Sequence, residues 1–230
     1  MSITVTGISS MATRQLLSDL TAAYVQLADC RVTIESVGGV DAARRVMAGE
    51  NFDVVVLAAD AMAKLAAAGR VQADSQVDLV RSGVAVAVQA GAVQPDITSE
   101  DAVRRAVLAA RSVSYSTGPS GVALLALFER WGITEQIKSR IVQAPPGVPV
   151  GSLVAKGEVE LGFQQYSELM SLPGITVIGP LPPAIQIITT FSAGIGTGAP
   201  NPQAARALLS FMSSAQATET IRRNGMEEAG

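Results

Sequence analysis

Residues 52–57, Phe52-Asp-Val-Val-Val-Leu57, form a continuous apolar stretch that is interrupted by a single aspartate. An apolar run of this length is typical of a strand that is buried on both faces, as in a parallel sheet. Helical patterns flank it over 41–48 and about 60–68, and each of them ends at a glycine. These three segments predict alternating strands and helices, with the helices covering the sheet.

The alternation continues in both directions from this stretch. The predicted strands are, in chain order, 3–5, 31–37, 52–57, 83–88, 112–116, 141–142, 160–164, 176–178 and 185–191. Further helices are predicted from 11 to about 28 and after a cap at Ser99. Another follows the turn at 117–121 and runs through 131, a short one follows the turn at 145–151, and a C-terminal pair begins at 202. We therefore predict an α/β protein with two α/β lobes and a double-strand hinge. Lobe I comprises 1–83 plus 190–230, lobe II comprises 84–189, and the ligand cleft lies between them.

The composition excludes several classes of protein. The 230 residues include 17 basic and 20 acidic side chains, and this balance argues against a nucleic-acid partner. A hydrophobic fraction of 48% with 16% charged residues argues against a disordered chain. We expect no membrane insertion, because no apolar run approaches the roughly 18 residues that a bilayer span needs.

The chain also lacks the residues of several common active sites. It has no histidine and one cysteine, Cys30, so zinc hydrolases and Ser-His-Asp or Cys-His enzymes are excluded as they are usually built. No Gly-Lys-Ser/Thr sequence of a phosphate-binding loop is present. We expect no cofactor and no metal.

Three turns carry residues suited to an anion, at 7–10, 116–121 and 147–152. Each lies where a helix is predicted to begin, and ligands of open parallel sheets bind beyond the carboxyl ends of the strands. Their small side chains let a ligand approach backbone N–H groups, and serine hydroxyls add donors. Serine and glycine are also ordinary residues of helix starts, so a structural role stays open.

Two further sets of residues are candidates for ligand contacts. Gln164 and Gln165 end an apolar strand and are expected to expose at least one amide. Arg14 and Arg81 are the cations nearest to the predicted turns, and either suits a carboxylate.

Taken together, the turns at 9–11, 58–60 and 119–121 and the segment Gly162-Phe-Gln-Gln165 resemble type II periplasmic binding proteins, in particular the molybdate-binding-protein-like group of extracellular solute-binding proteins. The resemblance covers nearly the whole chain and implies a tetrahedral oxyanion held by hydroxyls and backbone amides. By position, Ser10 matches the family's first ligand serine and Ser120 a contact in the second lobe. The full set of predicted ligand residues is Ser9, Ser10, Met11, Arg14, Gly39, Arg81, Ser116, Ser120, Gly121, Val148, Pro149, Gln164 and Gln165.

This sequence departs from the family pattern at two positions. The family's second ligand serine falls near Gly38-Gly39, where this chain has no hydroxyl, and its ligand tyrosine aligns with Gln165. Val148 or Pro149 falls on the remaining turn contact. Both departures favour a larger carboxylate over molybdate.

The chain is also similar to aconitate isomerase, which shares this scaffold, so allylic proton transfer is an alternative to binding alone. Without histidine the base would be a carboxylate, a tyrosine or a lysine with a shifted pKa. The candidates are Glu168, Tyr115, Tyr166 and Asp60.

The residues leave open whether the protein is a receptor, an isomerase or an intracellular sensor. The family resemblance implies a small anionic ligand and an ABC permease as partners. No export signal is recognisable, since no apolar stretch leads to a small-residue cleavage site. We expect a periplasmic location if a leader was removed, and otherwise a cytoplasmic one.

Overall fold

The fold consists of two compact α/β units. In the computed structural model, which describes residues 3–230, unit 1 contains the described residues up to Arg81 together with Thr190–Gly230, and unit 2 contains Ser82–Thr189. The chain leaves unit 1 within strand β4 (Val77–Gln89) and returns within strand β9 (Ile188–Ile195). The predicted α/β class and its two α/β lobes are confirmed, whereas the ligand cleft stays a prediction.

Unit 1 is a sheet with helices packed on it. Strand β1 pairs in parallel with β2 and β3, and β9 joins β3 in antiparallel fashion. A short strand, β10, pairs with the first part of β4. The other elements of this unit are β1 (Ile3–Ser10), α1 (Arg14–Tyr24), β2 (Cys30–Val37), α2 (Gly39–Met47), β3 (Val54–Ala58), α3 (Ala59–Ala67), α9 (Pro202–Met212), α10 (Thr218–Arg223) and β10 (Glu227–Glu228).

The apolar stretch at residues 52–57 forms the centre of unit 1. All five residues of β3 are buried, with Val54 and Val56 in one hydrophobic cluster and Val55 and Leu57 in another. Asp53, the aspartate within this stretch, is fully buried. Its burial is tolerated because its carboxylate accepts three hydrogen bonds. The donors are the Thr6 N–H at 2.8 Å, the Thr6 hydroxyl at 3.1 Å and the Asn201 N–H at 2.6 Å. Asp53 thus ties β1 to the start of α9.

Unit 2 repeats this plan with a shorter parallel sheet. Strand β5 pairs in parallel with β6 and β7, and β4 runs antiparallel to both β7 and β8. The elements that lie wholly in this unit are α4 (Glu100–Ala109), β5 (Val113–Tyr115), α5 (Pro119–Arg130), α6 (Thr134–Ile137), β6 (Ile141–Gln143), α7 (Val150–Ala155), β7 (Leu161–Gln165), α8 (Tyr166–Leu169) and β8 (Ile175–Pro180).

Aromatic packing and a predicted cap stabilise unit 2. Phe128 and Phe163 are fully buried and meet edge to face, with ring centroids 6.3 Å apart. Helix α4 begins where Ser99 Oγ accepts the Ala102 N–H at 3.2 Å, so the predicted cap is confirmed.

Several element boundaries differ from the predictions. Strand β1 does not stop at Gly7, as predicted, but continues to Ser10. Gly7 fits within the strand because it lets the backbone of β3 approach closely. A Cβ on Gly7 would lie 3.1 Å from the Val54 carbonyl oxygen. Helix α1 ends at Tyr24 rather than near Ala28. Helix α8 is not predicted at all. Within residues 3–230, no helix combines the length and the apolar character that crossing a membrane requires.

Candidate functional site

The first predicted turn lies at the carboxyl ends of β1 and β2 in unit 1. Ser9 and Ser10 are buried and pair in register with Ser36 and Val37 of β2. The Ser9 and Ser36 hydroxyls lie 2.8 Å apart and share a hydrogen bond. Ser10 Oγ has no hydrogen-bond partner among residues 3–230. Ser10 therefore carries a buried hydroxyl whose hydrogen-bonding capacity is unused within the described residues.

Gly39, a predicted ligand residue, lies against this turn. A further residue beside the turn, Ser36, was not predicted. A Cβ on Gly39 would lie 3.4 Å from the Ser10 Cβ, so the start of α2 approaches Ser10. The family's second ligand serine aligns with residues 38–39, which carry no hydroxyl, but the register partner of Ser9 in β2 is Ser36, which does. Only the in-register pairing of the two strands reveals it.

The remaining candidates in unit 1 differ in their surroundings. Met11 is half-buried in the 3-10 turn that follows Ser10, and Arg14 is exposed at the start of α1. Arg81 is exposed, and its Nη2 donates to the Glu228 carbonyl at 3.4 Å where β4 pairs with β10. This contact gives Arg81 a structural partner, and its predicted ligand role stays a prediction.

In unit 2, three predicted segments meet at one edge of the sheet. Because β5, β6 and β7 are parallel, the residues that follow Tyr115, Gln143 and Phe163 lie toward the same edge of the sheet, and Gln164 and Gln165 are the last two residues of β7. Ser120 is buried in the first turn of α5, with its Oγ 3.5 Å from Ser116 Oγ. Both serines therefore lie at the carboxyl edge, where parallel sheets bind their ligands.

Gly121 is required by the geometry of this turn. A Cβ at this position would lie 1.9 Å from the Ser116 carbonyl oxygen, so no other residue fits without a backbone shift. Gly118, the residue before α5, has no such restriction, since its Cβ would lie 3.8 Å from the nearest atom, Ser116 Oγ.

Val148 and Pro149 have no backbone donor to offer. The Val148 N–H donates to the Pro145 carbonyl at 3.0 Å, and proline lacks an N–H. A main-chain contact to an anion from these two residues is therefore not available. The first N–H of α7 belongs to Val150, which the sequence-based set did not include.

The starts of three helices share one feature. Helices α2, α3 and α5 follow Gly38, Ala58 and Gly118, none of which provides a side-chain cap. Each of them leads from the carboxyl end of a parallel strand. Among the described α-helices only α4 has a side-chain cap, from Ser99, so what distinguishes α2, α3 and α5 is their position after parallel strands. Uncapped N–H groups at a helix start are the usual donors of an anion site.

The two glutamines at the end of β7 are both buried and point to different partners. Gln164 Nε2 donates to Glu168 at 2.8 Å, and its Oε1 accepts the Gly151 N–H at 3.4 Å. Gln165 Nε2 donates to Thr189 Oγ1 at 2.7 Å. The buried Gln165 Oε1 has no hydrogen-bond partner in the described part of the chain. Gln165 thus carries in unit 2 a buried, unpartnered polar atom like the hydroxyl of Ser10 in unit 1.

Glu168 is the acidic group nearest to these glutamines. Burial raises the pKa of its carboxyl to about 7, and the hydrogen bond from Gln164 acts in the opposite direction. Of the other proton-transfer candidates, Tyr115 is buried and its pKa is raised by burial, whereas Asp60 and Tyr166 are exposed. Glu168 therefore has the pKa that suits proton transfer near neutral pH.

A separate cavity in unit 2 does not contain the predicted ligand residues. It has a volume of about 330 Å³ and lies between α5 and residues 184–187. Its lining combines aliphatic side chains with the polar residues Gln186 and Arg130, and Arg130 is paired with Glu100 at 2.6 Å. Among the described residues, no group of three or more acidic or cysteine side chains is arranged to hold a metal ion.

Two α/β units joined by two chain crossings, with serine, glycine and glutamine turns at the ends of parallel strands, define a type II periplasmic binding protein. The chain belongs to the family of bacterial extracellular solute-binding proteins, whose family model matches residues 4–227.

Known proteins resemble this chain in sequence and in fold. An aconitate isomerase from Pseudomonas sp. is 41% identical over 186 residues, which are 80% of this chain and 70% of that protein. The periplasmic molybdate-binding protein of Azotobacter vinelandii has a TM-score of 0.82 at 19% identity and covers 98% of this chain and 100% of its own. A sulfate-binding protein from Mycobacterium tuberculosis has a TM-score of 0.78 at 16% identity, with 99% and 87% covered. The two structures support the fold alone.

Proposed function

We propose that this protein binds a small polycarboxylate anion. The observation that carries the proposal is the pair of buried, unpartnered polar atoms at predicted ligand residues, Ser10 Oγ in unit 1 and Gln165 Oε1 in unit 2. An unsatisfied buried polar atom costs roughly 1–3 kcal/mol, and a ligand that pairs with it offsets this cost. A binding site explains why both atoms lie at the carboxyl ends of parallel strands.

The Gln165 amide suits an anion because its partner is a hydroxyl. Thr189 Oγ1 both donates and accepts hydrogen bonds, so a half-turn of the amide keeps the 2.7 Å contact with Thr189. The half-turn replaces the free oxygen by an NH₂ group, which donates to a carboxylate. The relative from Pseudomonas sp. is named for aconitate, a tricarboxylate, and this supports a carboxylate rather than an inorganic oxyanion.

We further propose that the protein serves as the receptor of an ABC transporter and delivers its anion to the permease in the periplasm. Membership of the extracellular solute-binding family supports this role.

A thermal-shift panel tests the binding function. Aconitate, citrate, fumarate, sulfate, phosphate and molybdate are each added to the purified protein, because stabilisation grows with the logarithm of ligand concentration over Kd. We expect the tricarboxylates to raise the Tm most, and Ser10→Ala to reduce the shift. Ser18→Ala, on the exposed face of α1, is the matched control. A Tm that no anion changes would contradict the proposal.

Isomerisation of aconitate is the second candidate function. The identity of 41% with an aconitate isomerase and the near-neutral pKa of the Glu168 carboxyl favour it. In this reaction a base removes a proton from the methylene carbon, the double bond shifts by one carbon, and a proton is returned to the former vinyl carbon. Incubation of cis-aconitate with the protein in deuterated water, followed by NMR, detects both the trans isomer and deuterium at carbon. If neither forms, isomerisation of aconitate is excluded.

A further inference from the structure

A short hydrogen-bonded chain in unit 2 links helix α7 to α8 through Gln164. The Gly151 N–H donates to Gln164 Oε1 at 3.4 Å, and Gln164 Nε2 donates to the Glu168 carboxylate at 2.8 Å. We propose that Glu168 is part of the anion site and takes up a proton when an anion binds beside Gln164 and Gln165. This inference rests on the anion-binding function proposed above.

Glu168 is isolated from other charges. The elements packed against α8 are β7, α7, β8 and the part of β4 that lies in unit 2. Their sequences are Leu-Gly-Phe-Gln-Gln, Val-Gly-Ser-Leu-Val-Ala, Ile-Thr-Val-Ile-Gly-Pro and Ser-Gly-Val-Ala-Val-Ala-Val-Gln, and none contains an acidic or basic residue. The other titratable group of α8 itself is the exposed Tyr166.

The nearest charged residues along the chain lie at the opposite end of β7. Lys156, Glu158 and Glu160 precede this strand, whereas Glu168 follows it. Five extended residues span about 17 Å, which is more than the Debye length at physiological salt. No ion pair of Glu168 is found within residues 3–230, so a proton is its available means of neutralisation.

An anion at Gln164 and Gln165 would lie close to an isolated, half-buried carboxylate. Two negative charges in a partly desolvated site repel each other, and protonation of Glu168 removes this repulsion. The coupling is reciprocal: the anion strengthens proton binding by the factor by which the proton strengthens anion binding. Burial already raises the pKa of the Glu168 carboxyl to about 7, so the coupling falls in the neutral range.

The direction of the pH dependence follows from the charge. Below about pH 7 the Glu168 carboxyl is neutral and an anion binds well. Above about pH 7 this carboxyl is ionised and must take up a proton before the anion binds well. Because the equilibrium then includes one proton, Kd rises by up to about tenfold per pH unit above the pKa.

Isothermal titration calorimetry tests the coupling directly. Fumarate and sulfate are the probes, because neither changes its charge between about pH 6.5 and about pH 8.5. Each titration is repeated in two buffers with different ionisation enthalpies, which gives the number of protons taken up. For the unmodified protein we expect uptake near pH 7 and a Kd that rises about tenfold per unit at the alkaline end.

Two variants separate Glu168 from the other acids of unit 2. Glu168→Gln keeps the shape and the polar atoms but stays neutral, so we expect a flat pH profile and no proton uptake. Glu158→Gln, an exposed acid before β7, is the matched control and should behave like the unmodified protein. The buffer comparison on the unmodified protein needs no variant, so it decides the question even if Glu168→Gln fails to fold.

Each outcome has a distinct meaning. Binding without proton uptake and with a constant Kd overturns the role of Glu168 but leaves the binding function intact. A folded Glu168→Gln variant that no longer binds also overturns it, since a neutral side chain should favour the anion. If neither probe nor any tricarboxylate binds the unmodified protein, both the inference and the proposed function fail.

Discussion

The side-chain amide of Gln165 donates a 2.7 Å hydrogen bond to the hydroxyl of Thr189, and both residues are buried. Thr189 is the last residue of unit 2 before the chain returns to unit 1 within β9. A predicted ligand residue is thus held by the strand through which the chain changes units. This bond holds the Gln165 amide in place through one of its two polar atoms and leaves the other unpartnered.

Thr189→Val should weaken anion binding because it removes the partner of Gln165 and leaves the shape almost unchanged. The loss of one such hydrogen bond corresponds to about 1–2 kcal/mol, or a Kd raised about five- to thirtyfold. Calorimetric titration with a tricarboxylate measures this change. Thr33→Val, at an exposed position of β2, is the control and should leave the Kd unaltered. If the unmodified protein, Thr189→Val and Thr33→Val all bind with the same affinity, Gln165 does not contact the ligand.

Ser9 and Ser10 should respond in opposite ways to truncation. Ser10→Ala removes a buried hydroxyl without a described partner, so the free energy of unfolding of the ligand-free protein should rise, by up to about 1–3 kcal/mol, while the Kd rises about tenfold. Ser9→Ala breaks the bond with Ser36 and should cost about 1 kcal/mol of stability. Urea denaturation and ligand titration of both variants give the two quantities. The reverse pattern would assign the ligand contact to Ser9.

Gly121→Ala should disturb unit 2, whereas Gly118→Ala should not. The added methyl of the first would overlap the Ser116 carbonyl oxygen, and the second has room. We expect a loss of about 2–3 kcal/mol for Gly121→Ala, because the turn must shift to relieve the overlap, and less than about 1 kcal/mol for Gly118→Ala. Thermal unfolding distinguishes them, and two equally stable variants would contradict this account of the turn.

Asp53→Ala should destabilise unit 1 more than any truncation of an exposed acid. The substitution leaves the N–H groups of Thr6 and Asn201 without their carboxylate. Removing the acceptor of a buried, charge-assisted network costs about 3 kcal/mol. Asp74→Ala, whose carboxylate lies 3.9 Å from Arg206 at an exposed position, should change the stability by less than about 0.5 kcal/mol in the same denaturation assay.

The stability of the protein should depend on Glu168 in the acidic to neutral range. Because burial raises the pKa of this carboxyl from 4.5 to about 7, the folded state holds a proton that the unfolded state releases. Its contribution is therefore present below about pH 4.5 and is lost as the pH rises through about 7, a difference of about 3 kcal/mol. Denaturation of the wild-type and Glu168→Gln proteins across this range should show the two curves separating toward high pH. Parallel curves would mean that Glu168 titrates normally.

The sequence predicts the fold well where the pattern is long and local. The apolar run at 52–57 covers four of the five residues of strand β3, and Ser99 caps α4 as expected, because both features depend on neighbouring residues alone. Ser36 was missed because its position beside Ser9 arises from the register between two strands. Helix α8 spans four residues, too few for a helical period, so the contact of Gln164 with Glu168 was equally hidden.

The candidate site shows the same limit. Ser10, Ser120 and the two glutamines could be selected from their places at the ends of predicted strands and the starts of helices. The bond that occupies the Val148 N–H, in contrast, depends on the conformation of a proline-rich turn that no periodicity describes. Hydrogen-bond satisfaction, which distinguishes Ser10 from Ser9, exists only once the chain is folded.

The most direct measurement is a calorimetric titration of the purified protein with trans-aconitate near neutral pH. The account predicts saturable binding of one anion per chain, with a Kd that Ser10→Ala and Thr189→Val each raise. Heats that never saturate with trans-aconitate, citrate or fumarate would contradict it.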